Sequence, residues 1–250
     1  MKKVMLRTVK TIAYQLKKGS YRPYEYEYEF DRQLQSGSAE VKLKGKIDRI
    51  DTFVSGDETY VRIVDYKTGG KDFNLSDVWQ GLNVQMLLYL FAVKEKGAER
   101  YGSEIQPAGV LYMPGDPSPA SEEEKAEKVY TMKGLILNEP EVLKAMEEKG
   151  EGVFIPATMD PETGRWKADA LATLEELGAI EKRIEHLVTE MVSGLRRGEI
   201  GAVPAEQRGG DRPCRYCPYK AVCRNDRITE SRKIRNIPRA EMFGKGETDG

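Results

Sequence analysis

The stretches GKIDRID (Gly45–Asp51) and VDYKTG (Val64–Gly69) decide how this chain is read. Both suit β-strands, in which every second side chain points to the same face. Asp65 and Lys67 are two apart and therefore project together, and an antiparallel return brings them beside Asp48. Two carboxylates are hard oxygen donors for a divalent cation, and a lysine beside them can orient or deprotonate a water. That combination suits metal-assisted hydrolysis of a phosphodiester. Taken alone, Asp-x-Lys is weak, because a surface ion pair of the same composition is common and contributes only ~0–1 kcal/mol. The neighbouring parts give it weight.

Upstream, Val4, Leu6, Val9, Ile12, Ala13 and Leu16 recur near a 3.6-residue period and predict a helix over residues 4–18, closed by Gly19 and Pro23. YEYEYEF (Tyr24–Phe30) alternates strictly, which predicts a strand with Glu25, Glu27 and Glu29 on one face and the aromatics on the other. A turn at Ser36–Ser38 leads into Val41–Asp51. There Val41, Leu43 and Ile47 oppose Lys42, Lys44, Lys46 and Asp48. A turn, SGDE, then precedes the strand Tyr60–Lys67.

Downstream, a nearly all-apolar helix is expected from about Ser76, its N-cap, to Lys96, with Gly97 as its stop. Gln85 and Tyr89 lie four apart on one of its faces. A strand at Ala108–Met113, a polar Pro-rich loop at Pro114–Lys128, a short helix at Glu141–Glu148 and a hairpin around Asp160–Gly164 follow. Leu174–Arg197 reads as a long amphipathic helix capped by Gly198. The pattern predicts an α/β fold, a mixed sheet of about four or five strands flanked by helices, with a Cys-rich C-terminal segment.

Bulk properties narrow the class. The chain has 250 residues, 32% of them charged, and a mean hydropathy of −0.60. It carries no apolar run near the ~20 residues that span a bilayer and no secretory signal pattern, so a soluble, cytoplasmic protein is expected. Net charge is −1 but uneven: between Arg208 and Arg239 ten Lys/Arg face three Asp/Glu. Such a basic stretch is either a phosphate-contacting surface or a solvated tail.

All three cysteines fall in Cys214-x₂-Cys217-x₅-Cys223. An odd, clustered set does not suit a disulfide framework. Tetrahedral zinc and cubane iron–sulfur sites both call for four ligands. A Cys₃His zinc site would need His186, the only histidine, which sits beside the apolar stripe of its helix and reads as a surface residue. The tryptophans lack an interleaved basic stripe and read as core. Gly69-Gly70-Lys71 has no phosphate-loop spacing.

With acidic strand, Gly-x-Ile-Asp strand, Asp-x-Lys strand and Gln-x-x-x-Tyr helix in this order, the chain resembles the RecB-like branch of the PD-(D/E)XK nucleases, whose fold is restriction-endonuclease-like. Beyond the motifs, MKGLILNEPEVLKAM (Met132–Met146), FIPATMD (Phe154–Asp160) and CRYCPYKAVCR (Cys214–Arg224) resemble the AddB-like nuclease domains, over roughly residues 12 to 228. The resemblance implies that Asp48, Asp65 and the Tyr66 carbonyl bind Mg²⁺, that Lys67 positions the nucleophilic water, and that Gln85 and Tyr89 contact the DNA backbone or brace Lys67. Glu27 matches an acidic position on the first strand. It further implies a [4Fe-4S] cluster on Cys214, Cys217 and Cys223, DNA as substrate, and an AddA-like helicase–nuclease subunit as partner in double-strand break resection and recombinational repair.

On this reading residues 1–205 form the nuclease domain, 206–230 the Cys-rich segment, and 231–250 a basic then polar tail. The chain departs from the family in offering no histidine before Tyr24 and no fourth cysteine. Both would lie on the N-terminal side, so a fragment of a longer protein with weakened activity is expected. Two other readings stand beside the enzyme: a nuclease-like fold that holds DNA without cutting, and an unrelated zinc or iron–sulfur protein.

Overall fold

The computed structural model describes residues 2–36, 39–67, 72–102, 104–115, 130–223 and 230–244. The expected features at Gly37-Ser38 of the first turn, at Thr68–Lys71 and over most of the Pro-rich loop (116–129) lie outside the described residues. The chain forms two compact units, residues 1–74 with 84–181, and residues 75–83 with 182–250.

The first unit is built on a six-stranded mixed sheet. Helix α1 (Lys2–Lys18) precedes β1 (Arg22–Ser36), β2 (Ala39–Ser55) and β3 (Glu58–Lys67), an antiparallel meander. After α2 (Leu75–Trp79), α3 (Gln85–Lys96) and α4 (Ala98–Tyr101), β4 (Glu104–Pro114) pairs parallel to β3. Strand β5 (Lys133–Leu137) joins β4 antiparallel, and helix α5 (Pro140–Met146) and the two-stranded hairpin β6 (Thr158–Met159) and β7 (Trp166–Lys167) follow. The short β8 (Leu171–Ala172) closes the sheet beside β5, in the order β1-β2-β3-β4-β5-β8. The sheet is thus one strand larger than the expected four or five, because β8 is only two residues long and has no periodicity to read.

Strand β3 is central, with Tyr60–Asp65 buried without interruption. Val61, Ile63 and Val64 pack with Val110, Leu111 and Met113 of β4 and with Leu87, Leu90 and Phe91 of α3 in one apolar core. A strand buried on both faces is held in register strongly, since a one-residue slip would turn its side chains over.

Three expectations need correction. The single helix over 76–96 is two helices, α2 and α3. Gly81 and Asn83 between them take positive φ, 85° and 56°, a backbone region an α-helix cannot pass through. Ser76 is not an N-cap; it lies within α2, where its hydroxyl accepts from the Ile237 amide (3.0 Å). On β1 the strict alternation fails. Tyr24 and Tyr26 are exposed while Glu25 is half-buried, ion-paired to Arg100 at 2.7 Å and hydrogen-bonded to Tyr101. A register shift between Pro23 and Glu25 and a φ of 52° at Glu27 interrupt the pleat that period-two reasoning assumes.

In the second unit, α6 (Leu174–Arg196) contributes its part from residue 182 onward. Its N-terminus, in the first unit, carries a capping box: Thr173 Oγ1 accepts from the Glu176 amide (3.1 Å) and Glu176 accepts from the Thr173 amide (2.9 Å). The unit continues through β9 (Ala205–Glu206), a 3₁₀ turn at Pro213–Tyr216, α7 (Lys220–Cys223), β10 (Arg232–Lys233) and α8 (Arg239–Phe243). Segment 75–83 is held within it: Trp79 packs edge-on against Phe243, Arg208 pairs with Asp77 at 2.8 Å, and Gln80 Nε2 donates to the Arg235 carbonyl at 2.8 Å.

Candidate active site

The β2–β3 register pairs Arg49 with Val64, and one step further sets Asp48 opposite Asp65. The Tyr66 amide donates to Asp48 Oδ2 at 3.0 Å, which fixes that carboxylate beside the end of β3. Lys67 Nζ stands 2.5 Å from Asp65 Oδ2. The contact is an ion pair lacking hydrogen-bond alignment, so that buried oxygen has no directed donor. Asp65 is largely buried and Lys67 half-buried, so neither charge is fully screened by water. The meander therefore brings Asp48, Asp65 and Lys67 together on one sheet face, as their spacing predicts.

Gln85 begins α3 and donates to the Tyr89 hydroxyl at 2.6 Å. The Tyr89 ring packs edge-on against Phe30 at 4.9 Å. A Cβ at Gly45 would fall 2.5 Å from both rings, so the glycine of GKID is what lets α3 approach β2. Gln85 thus gives its amide to Tyr89, and among the described residues no hydrogen bond joins this pair to Lys67. Glu27 is exposed and ion-paired to Lys46.

Behind the carboxylates, on the opposite face of the same strands, lies a cluster that sequence reasoning missed. Asp51, fully buried, bridges Arg49 (Nε 2.8 Å, Nη2 3.0 Å) and Arg62 (Nε and Nη2, both 2.9 Å). Arg49 also donates to the Tyr66 hydroxyl at 2.5 Å. Arg62 lies over the Tyr21 ring, 4.4 Å from its centroid. Burial raises the Tyr66 phenol above its usual range, keeping it protonated. The signal was present: an arginine inside the apolar run of β3 needs a buried anion.

The donor set has a definite character. Among the described residues no group of three or more His, Cys, Asp or Glu side chains converges as a closed metal site. Two carboxylates and an open edge do fit Mg²⁺, which keeps waters and takes one or two carboxylates with substrate phosphates. The undirected Asp65 oxygen is the atom left to receive it. The cysteines are free, Cys214 half-buried and Cys217 and Cys223 exposed, and their thiols are not gathered about a common point. His186 is exposed, 3.4 Å from Glu190 on its own helix. No preformed zinc or cluster site is seen among these residues.

A two-carboxylate, one-lysine centre on the second and third strands of a mixed sheet defines a nuclease-type hydrolase. The model of the PD-(D/E)XK nuclease superfamily matches residues 1–224, and the chain belongs to that superfamily. It is similar to AddB, the ATP-dependent helicase/deoxyribonuclease subunit of Clostridium acetobutylicum, 34% identical over 257 residues covering 95% of this chain and 22% of that protein. The protein of the same name from Acetivibrio thermocellus is 34% identical over 246 residues (90% and 21%), and that of Alkaliphilus oremlandii 30% over 256 (95% and 22%). The chain thus spans about 22% of the length of these curated relatives. No helix among the described residues is long and apolar enough to cross a membrane.

Proposed function

We propose that this chain is the nuclease domain of an AddB-like protein, a Mg²⁺-dependent DNA exonuclease working with an AddA-like helicase–nuclease in double-strand break resection and recombinational repair in the cytoplasm. The observation that carries this reading is the Asp48 carboxylate held by the Tyr66 amide beside the Asp65–Lys67 pair. Asp48, Asp65 and the Tyr66 carbonyl hold the cation. When bound, Mg²⁺ supplies a Lewis acid and an acidified water. Lys67 orients that water for in-line attack and offsets charge developing on the phosphate. Gln85 and Tyr89, locked to each other, offer donors to the DNA backbone. Cys214, Cys217 and Cys223 supply three thiolates to a [4Fe-4S] cluster whose fourth ligand comes from elsewhere; no step of cleavage runs through it.

The test is Mg²⁺-dependent cleavage of linear DNA by the chain, and by a version extended upstream, with Asp65→Ala and Lys67→Ala beside the wild type. We expect each substitution to lower the rate by about 10²-fold or more, in line with loss of one electrostatic group at a reacting phosphate. Lys67→Ala should keep its DNA affinity. Equal cleavage by wild type and Asp65→Ala would place the chemistry elsewhere.

A further inference from the structure

We infer that Arg49 is a positioning residue for the metal centre, acting through Tyr66 on Asp48 and Asp65. This deepens the reading above and rests on it. Tyr66 stands between Asp65 and Lys67 and touches both sides of the sheet. Its amide holds Asp48 Oδ2 at 3.0 Å on the carboxylate face, and its hydroxyl accepts from Arg49 Nη1 at 2.5 Å on the other. Arg49 itself cannot drift. It is 1% exposed, and Asp51 grips it through two nitrogens, at 2.8 and 3.0 Å.

The strand bearing Asp48 and the strand bearing Asp65 are thus joined by a side-chain strut one residue from each carboxylate. It lies at the last rung of the β2–β3 ladder, where Arg49 pairs with Val64. The carboxylates sit just past that rung, where main-chain pairing no longer fixes their separation. A rigid planar guanidinium spanning both strands supplies that constraint, and a lysine, a point charge on a flexible stem, would not.

Arg62 gives the matched comparison. It grips the same Asp51, through Nε and Nη2 at 2.9 Å, but its other contact is the Tyr21 ring, away from Tyr66. Removing either arginine leaves Asp51 paired with the remaining one, so both variants keep a buried anion neutralised. Only loss of Arg49 releases Tyr66.

The experiment is a Mn²⁺ titration of the 250-residue chain, following free Mn²⁺ by electron paramagnetic resonance, with thermal melting on the same samples. Wild type is compared with Arg49→Met, Arg49→Lys, Tyr66→Phe, Arg62→Met and Asp65→Ala. We expect Arg49→Met to weaken Mn²⁺ binding by about 10–100-fold, the range for partners that orient metal ligands. Tyr66→Phe should weaken it in the same direction, Arg49→Lys should not restore it, and Arg62→Met should lower the melting temperature while leaving Mn²⁺ affinity unchanged. Wild-type affinity in Tyr66→Phe, or equal losses in Arg49→Met and Arg62→Met, would overturn the assignment. If Arg49→Met does not fold, Tyr66→Phe decides alone. Asp65→Ala separates the two levels: wild-type Mn²⁺ affinity in that variant would remove the metal centre itself, whereas its loss with an unaffected Tyr66→Phe removes only the strut.

Discussion

Gly45 has no side chain because the Phe30 and Tyr89 rings occupy the space one would need. A methyl group there would push both rings aside, and overpacking of this kind costs ~1–3 kcal/mol. Gly45→Ala is therefore expected to lower the denaturation midpoint and to disturb the Tyr89–Gln85 bond; an unchanged midpoint with an unchanged aromatic circular dichroism signal would contradict this. The three residues at the centre were legible because Asp48, Asp65 and Lys67 lie on strands whose period of two fixes their faces. Arg49, Asp51 and Arg62 were equally visible as letters, yet their role was not. A charge in a strand shows that it needs a partner, but only the register of β2 on β3 shows which one.

Elements were legible where one physical signal ruled each segment. Helix α3 ends at Gly97, whose amide caps Val93, as its composition suggested. The break before α3 was hidden because Leu82 and Val84 continue the apolar pattern across it, while Gly81 and Asn83 adopt left-handed backbone. The capping box at Thr173 and Glu176 was readable as Thr-x-x-Glu and went unused. Strand β3 also carries a titration at its start. Hydrogen bonding to Glu58, then burial, raises the Tyr60 phenol to about 12. Between about pH 10 and 12 the folded chain keeps this proton while the unfolded chain has lost it, so stability is full below about pH 10 and falls as pH rises toward 12. Urea titrations across that range should show the fall, and Tyr60→Phe should flatten it. An identical slope in both proteins would assign the loss to other groups.

At the scale of the whole chain, sequence reading divides a protein into consecutive stretches, here at residue 205. The second compact unit is not consecutive: it takes residues 75–83 from between β3 and α3 and joins them to residues 182–250. Nothing in composition marks that excursion, since its partners lie about 120 to 165 residues later. The excursion has a consequence for chain scission. The stretch Glu199–Val203 is exposed, Ile200 by 93%, and exposed loops are where proteases cut. A single cut there leaves Arg208, Arg232, Arg235, Asn236, Ile237 and Phe243 on the released peptide, each still engaged with residues 76–80. The two peptides should co-elute in gel filtration and part only in denaturant, whereas separate elution of the small peptide would disprove the clasp. The chain behaves in this respect like a buckle, which stays shut after its strap is cut.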